Sequence, residues 1–169
     1  MNFKILQVLR SLVEQPEHAA WGFRLDPRAP VLMSNGPAQT LPLWSLFGVY
    51  LLVERRQPAW DVPLEEFEGE LLYAGMTTSN VHERLKAHFG LANMQSTYAN
   101  HRWRTVPRVL PALQEQLARG EVVLYCVGVS SSVDLPQQQR NLMPEILEKH
   151  LLLQFALTQG RLPILNLQF

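Results

Sequence analysis

Residues 71–89 read LLYAGMTTSNVHERLKAHF, and the pattern changes from that of a strand to that of a helix near the middle. The segment ELLYAG at 70–75 is apolar and rich in residues that favour strands. Asn80 can cap a helix, and Glu83 follows three residues later, which is a variant of the capping box. We therefore predict a strand, a polar turn and then a helix from about residue 80 to 90.

Two further strands are predicted on either side of this segment. Residues 44–53 form a short apolar run that ends in GVYLLV, and residues 121–129, EVVLYCVGV, are almost continuously apolar. Such a run is typical of a central strand that is covered on both faces. Gly120 and Gly160 are expected to end helices. Amphipathic or apolar periodicity predicts helices over the ranges 2–14, 107–119 and 143–158.

Prolines divide the remaining sequence. Five of them lie within 15–42, which predicts an irregular arm after the first helix. Residues 54–68 are charged and contain two prolines, so we expect a long excursion between two strands, and the last segment, RLPILNLQF, is expected to be extended. The predicted fold is α/β (α+β), with a sheet of about three strands flanked by helices. The expected division is an N-terminal helix and proline-rich arm over 1–43 and the main domain over 44–169.

Composition excludes several classes of protein. The 169 residues carry 15 Lys and Arg against 15 Asp and Glu, so no net charge steers the chain towards a polyanion. The single cysteine, Cys126, excludes a disulfide framework and a zinc site with several cysteines, and it is typical of a reducing cytoplasm, where we expect this protein. No apolar run approaches 18 residues, so we expect no membrane partner.

The predicted helix at 80–90 carries two residues that suit phosphate chemistry. Arg84 and His88 are four positions apart and lie at the edge of the apolar stripe formed by Val81 and Leu85. One cation and one imidazole would thus lie side by side beside the core. The alternative is that both are rim residues, with the arginine stem packed along the apolar surface.

Glu148 lies within the most apolar part of the last helix. Leu151 and Leu152 follow at the spacing that places them on the same face. A carboxylate on such a face needs a cation or a metal ion as its partner. This pattern is compatible with either a structural ion pair with an arginine or a metal site.

Two tyrosines accompany glycines in neighbouring predicted strands. Gly48-Val49-Tyr50 lies within one predicted strand and Tyr73-Ala74-Gly75 ends the next. A glycine beside each tyrosine lets a neighbouring backbone or a ligand approach closely. Either triplet alone is compatible with a tyrosine that belongs to the core.

Together, GVY, YAG, Arg-x-x-x-His, the helical glutamate and a terminal Pro-x-x-Asn resemble the GIY-YIG nuclease superfamily. The matching stretches are GVYLLV (48–53), LLYAGMTTSNVHERLKAHF (71–89) and EKHLLLQFALTQGRLPILN (148–166). Two isoleucines of the family pattern are replaced by Val49 and Ala74. Twenty-two residues separate Tyr50 from Tyr73, more than in the compact hairpin of the family. The resemblance implies a small, mainly antiparallel central sheet of three strands with an N-terminal helical extension.

The resemblance also implies a metal-dependent endonuclease that hydrolyses phosphodiester bonds in DNA, with RNA left open. Glu148 would bind one divalent ion, Mg²⁺ or Mn²⁺, and Arg84 would hold the scissile phosphate. Tyr73 would hydrogen-bond the phosphate or the water, and the base is either Tyr50 or His88. Asn166, in a supporting role, would fix the terminal segment against the sheet beside the site.

Charge distribution adds candidate contacts with partners. Basic residues cluster between 84 and 119, and the acidic stretch at 61–70 could dock a basic protein partner. The alternative to a nuclease is therefore a catalytically silent or partner-regulated module with the same fold that binds nucleic acid or protein. The oligomeric state stays open. The candidate nucleic-acid contacts are Lys86, Arg102, Arg104 and Arg108.

Overall fold

The computed structural model describes residues 3–33, 47–56, 59–67, 69–79, 81, 84, 115–116 and 118–166. Three helices are bounded within these residues: α1 (Ile5–Val13), α2 (Pro16–Ala19) and α3 (Gln137–Gln159). Five strands are bounded there as well: β1 (Phe23–Pro27), β2 (Val31–Met33), β3 (Gly48–Arg55), β4 (Gly69–Thr77) and β5 (Val122–Ser131).

All strands belong to one antiparallel sheet in the order β1-β5-β3-β4, and β2 also pairs with β5. The three predicted strands are confirmed as β3, β4 and β5, which form the middle and one edge of the sheet. The prediction of a mixed α/β fold on an antiparallel sheet is confirmed. The predicted number of three strands is wrong, because the described part of the chain contains five.

The two additional strands come from the segment that was predicted to be an irregular arm. β1 pairs with the second half of β5 and β2 with the first half, so together they cover its outer edge. Between them, the Arg28 amide donates a hydrogen bond to the Cys126 carbonyl at 2.8 Å. A proline has no amide N–H to donate, and an edge strand tolerates this where the amide would face away from the sheet. Pro27 and Pro30 are therefore compatible with this edge. The expected domain boundary at 43/44 lies outside the residues described.

The hydrophobic core lies between one face of the sheet and helices α1 and α3. Because side chains alternate along a strand, Val49, Leu51 and Val53 of β3 face these helices. The apolar stripe that predicted α1 is buried, with Leu9 fully inaccessible. The excursion closes part of this face, since Tyr125 donates a hydrogen bond to the Val62 carbonyl at 2.8 Å.

Helix α3 is longer at its start than its apolar periodicity predicted. It begins at Gln137, after Pro136, whose φ of −51° suits entry into a helix. Residues 137–140 are polar and exposed, so they carry no apolar signal. The predicted end is confirmed, because Gly160 has a φ of +70° and its amide bonds to the Ala156 carbonyl.

The predicted extended segment at the C-terminus is wrong for 161–166, which form no strand. Residues Ile164 and Leu165 lie in a turn closed by a hydrogen bond from the Asn166 amide to the Pro163 carbonyl at 2.9 Å. A proline cannot donate to a ladder, and this favours a turn over strand pairing.

Candidate active site

The side chain of Tyr50 is positioned by the register of β3 and β4. Tyr50 pairs with Gly75 on β4 and Cys126 on β5, and alternation places it on the face opposite Val49 and Leu51. A Cβ atom at Gly75 would lie 2.6 Å from both Cζ and Oη of Tyr50. The phenol ring therefore lies over the backbone of β4 in space that any side chain at residue 75 would fill.

The two glycines of the sequence motifs serve different contacts. A Cβ atom at Gly48 would lie only 2.0 Å from the Val127 carbonyl oxygen, so this glycine lets β3 and β5 approach each other. Gly75 instead admits the ring of Tyr50, and Tyr73 Cε1 would also lie 2.7 Å from a Cβ there. Each glycine is needed for close packing at the end of the sheet where both tyrosines lie.

Tyr50 and Tyr73 form a buried pair. Their ring centroids are 5.8 Å apart at an interplanar angle of 37°, and only 1% and 2% of their surfaces are exposed. Burial raises the pKa of Tyr50 well above its ordinary value, and the neighbouring Tyr73 raises it further through charge and through a hydrogen bond. A hydrogen bond raises the pKa of a phenol when the protonated phenol makes it more strongly than the phenolate does. This bond therefore favours the neutral form of Tyr50.

Two charges from other elements also act on the Tyr50 phenol. After burial and Tyr73, the pKa of Tyr50 is lowered by the positive charge of Arg84 and raised by the negative charge of Glu148. Both charged groups are therefore within electrostatic range of one hydroxyl. The structure brings Tyr50, Tyr73, Arg84 and Glu148 together from β3, β4, α3 and the helical residues after β4.

Arg84 and Glu148 differ in how they are held. Arg84 is helical and exposed, whereas Val81, one turn earlier, is fully buried and anchors that turn. Glu148 is half-buried on α3, between Leu147 and Leu151, which are both inaccessible. The partial burial expected for Glu148 from its apolar neighbours is thus observed, and Glu145, one turn earlier, is exposed.

Glu148 offers a half-buried carboxylate as a candidate metal ligand. No group of three or more His, Cys, Asp or Glu side chains that could hold a metal lies among the described residues. A zinc centre needs three or four such ligands, whereas Mg²⁺ keeps several waters and can bind one carboxylate together with a substrate phosphate. The Glu148 carboxylate is a donor of the type that Mg²⁺ prefers.

Asn166 joins the end of the chain to the edge strand of the site. Its side chain accepts a hydrogen bond from the Ala74 amide at 2.9 Å and donates one to the Ala74 carbonyl at 2.8 Å. The Leu165 amide also donates to the Leu72 carbonyl at 2.9 Å, at the bulge where β4 shifts register against β3. Because Ala74 lies between Tyr73 and Gly75, Asn166 fixes the backbone that carries both.

The acidic stretch at 61–70 is engaged by arginines from distant parts of the chain. Glu65 pairs with Arg10 at 3.0 Å, and Glu70 pairs with Arg56 at 2.7 Å and with Arg161. Sequence patterns gave no signal for these pairs, since up to 91 residues separate the partners. Two of the acidic side chains expected to dock a protein partner therefore already have basic partners.

The remaining predicted site residues lie outside the residues that the structure describes. The side chains concerned are His88, Lys86, Arg102, Arg104 and Arg108, which lie in the undescribed part between Arg84 and Glu115. Sequence reasoning also missed a polar groove at one end of the sheet, lined by Thr78, Ser130 and Arg140. These residues follow no motif, and only the fold brings them together.

Comparisons with known proteins leave the resemblance to GIY-YIG nucleases as a prediction. No family model, no curated protein and no solved structure matches the chain. Among the described helices, none has the length and apolar character that a membrane crossing requires.

Proposed function

We propose that this protein is a Mg²⁺-dependent endonuclease that hydrolyses phosphodiester bonds in DNA, as its resemblance to GIY-YIG nucleases implies. One observation carries the proposal: Tyr73, Arg84 and Glu148, from three separate elements, all act on the phenol of Tyr50. A titratable group that is perturbed by side chains from distant parts of a chain is typical of active sites. A structural ion pair alone would need neither tyrosine.

Each side chain has a role that follows from its chemistry. The exposed guanidinium of Arg84 can reach a phosphate in solvent and donate two parallel hydrogen bonds to its oxygens. Its positive charge would offset the charge that develops on the phosphate during hydrolysis. The buried pair of Tyr50 and Tyr73 forms a rigid wall against which the attacking water can be oriented.

Glu148 is the residue that would hold the metal ion. A bound Mg²⁺ supplies electrostatic stabilisation of the leaving oxygen. Its neighbours Leu147 and Leu151 on α3 are inaccessible, so Glu148 lies beside the core at a half-buried position. A glutamine at this position would keep the shape of the side chain and lose the charge that a cation requires.

The state of Tyr50 favours His88 as the proton acceptor. Since burial and Tyr73 keep the pKa of Tyr50 above its ordinary value of 10, the phenol stays protonated at neutral pH. A protonated phenol can orient a water molecule but cannot remove its proton. A histidine has a reference pKa near 6.5, which suits proton transfer at neutral pH.

The ion pairs of the acidic stretch make the alternative function less favourable. A module that docked a basic protein through residues 61–70 would have to compete with Arg10 for Glu65 and with Arg56 and Arg161 for Glu70. We therefore favour catalysis over docking as the role of this chain.

A plasmid assay tests the proposal. Supercoiled plasmid DNA is incubated with the purified protein in Mg²⁺, in Mn²⁺ and in EDTA, and nicked product is measured on a gel. We expect nicking with either ion and none with EDTA. Parallel reactions with a branched DNA and with a structured RNA identify the preferred nucleic acid, and absence of cleavage on all three substrates would refute the proposal.

A further inference from the structure

A polar groove of about 600 Å³ lies at the end of the sheet where β3 begins and β4 and β5 end. Its walls include the residue after β4, the last residues of β5 with the segment that follows them, and the first turns of α3. Its polar and charged side chains include Thr78, Ser130, Asp134, Gln137, Arg140 and Asn141. Hydroxyl, amide and guanidinium groups thus surround one concave surface.

Several of these groups have unused hydrogen-bonding capacity. The side chains of Thr78, Ser130, Arg140 and Asn141 make no hydrogen bond or ion pair with any other described residue. This contrasts with Ser131, also in the groove, whose hydroxyl donates to the Trp21 carbonyl at 2.7 Å. The groove therefore offers donors and acceptors that the fold itself does not use.

The strand register places the groove at the end of the sheet where β3 begins, two residues before Tyr50. Thr78 directly follows Thr77, which pairs with Gly48, and Gly48 lies two residues before Tyr50 on β3. Two residues of a strand span about 7 Å. The backbone of Tyr50 therefore lies about 7 Å along β3 from the end of the strand at which the groove is found.

Helix α3 makes a second connection between the groove and the site. Asn141 lines the groove, and Glu148 follows seven residues later. Seven residues are almost two full turns, so both side chains lie on nearly the same face, about 10 Å apart along the axis. One face of α3 therefore leads from the groove to the proposed metal ligand.

We propose that this groove binds the sugar–phosphate backbone of the DNA strand beside the scissile phosphate. The inference rests on the proposed nuclease function and deepens it by assigning a substrate subsite. Arginine, serine, threonine and asparagine are the side chains that commonly contact phosphate and sugar oxygens, and such contacts position a strand without reading its sequence. Arg140 supplies the phosphate contact, and Thr78, Ser130 and Asn141 supply the neutral ones.

The two charges of the groove give this proposal a distinctive signature. Arg140 attracts a polyanion, whereas Asp134 on the same groove repels it. Removal of the Arg140 charge should therefore weaken DNA binding, and removal of the Asp134 charge should strengthen it. A neutral ligand would not show this pair of opposite effects, and a basic partner would show them with the signs reversed.

Steady-state nicking of a fluorescent DNA duplex tests the groove. We expect R140A to raise KM roughly five- to tenfold with kcat unchanged. The reason is that the lost charge-assisted contact is made equally in the enzyme–substrate complex and in the transition state. We expect D134N to lower KM. K149A is the matched control, since Lys149 is an exposed cation nine residues further along α3, on the opposite face, and its KM should equal that of the wild type.

Salt dependence separates a phosphate contact from a structural effect. The slope of log KM against log salt should become shallower by about one in R140A, and R140K should retain the slope of the wild type. Wild-type cleavage with KM and salt slope unchanged in R140A would overturn the groove assignment and leave the nuclease proposal intact. Absence of cleavage by the wild type would overturn both.

Discussion

The hydroxyl oxygen of Tyr50 lies over Gly75 of the neighbouring strand, at a point only 2.6 Å from where a Cβ atom would be. The contact links the two glycine–tyrosine motifs directly, because the ring of the first occupies the space left free by the glycine of the second. It also fixes the distance between the phenol and the edge strand, and through that strand the position of Tyr73.

Replacement of Gly75 by alanine tests this contact. The added methyl group would overlap the rings of Tyr50 and Tyr73, so we expect G75A to lose about 1–3 kcal/mol of unfolding free energy. Urea denaturation measures the loss. Y50L removes Cζ and Oη, so the double variant Y50L/G75A should be less destabilised than the sum of the single variants. Strict additivity would show that the two residues do not touch.

Removal of the Asn166 amide should destabilise the edge of the sheet. N166A removes the partner of both the amide and the carbonyl of Ala74, and both hydrogen bonds are buried. We expect the free energy of unfolding to fall by about 2–4 kcal/mol. N141A is the control, because Asn141 makes no side-chain hydrogen bond to a described residue and its loss should be about 0.5 kcal/mol or less. Equal effects of the two substitutions in thermal or urea unfolding would contradict this role for Asn166.

The raised pKa of Tyr50 makes a prediction about the pH profile of cleavage. If Tyr50 remains protonated and His88 accepts the proton, kcat/KM should rise with pH up to about 6.5 and stay level from there to pH 9. Rates of plasmid nicking across this range provide the profile. A tenfold rise for each pH unit that continues through pH 9 would instead identify Tyr50 as the base.

His150 predicts a second pH effect, on stability. Its Nε2 is buried and has no hydrogen-bond partner among the described residues, and burial, followed by the nearby His18, lowers its pKa below 6.5. The unfolded chain therefore binds a proton more readily than the folded one, so the unfolding free energy falls as pH drops below 6.5. H150Q should show a smaller fall in acid denaturation, and curves that stay parallel would contradict the assignment.

The sequence predicted those parts of the fold that have a strong local signal. Continuous apolar runs identify β3 and β5, and Gly160 ends α3 where a left-handed residue is required. β1 and β2 have no such signal, since they are short, flank prolines and owe their stability to pairing with β5. Local patterns cannot report a partner that lies about a hundred residues away.

In the candidate site, too, some features have a local sequence signal and others depend on the fold. The apolar face around Glu148 and the tyrosine–glycine triplets could be recognised from spacing alone. The position of Tyr50 over Gly75 depends on strand register, and the pairing of Glu65 with Arg10 depends on how the excursion folds back onto α1. Neither relationship is encoded within a short window of the sequence.

In the proposed function, Glu148 belongs to a metal-dependent site shared with Tyr50 and Arg84. The most direct measurement is the Mg²⁺-dependent nicking rate of E148Q compared with that of E145Q, which removes an exposed carboxylate one turn away on the same helix. We predict that E148Q reduces the rate at least about a hundredfold with an unchanged fold by circular dichroism, while E145Q keeps the wild-type rate. Equal rates for E148Q and the wild type would contradict the account.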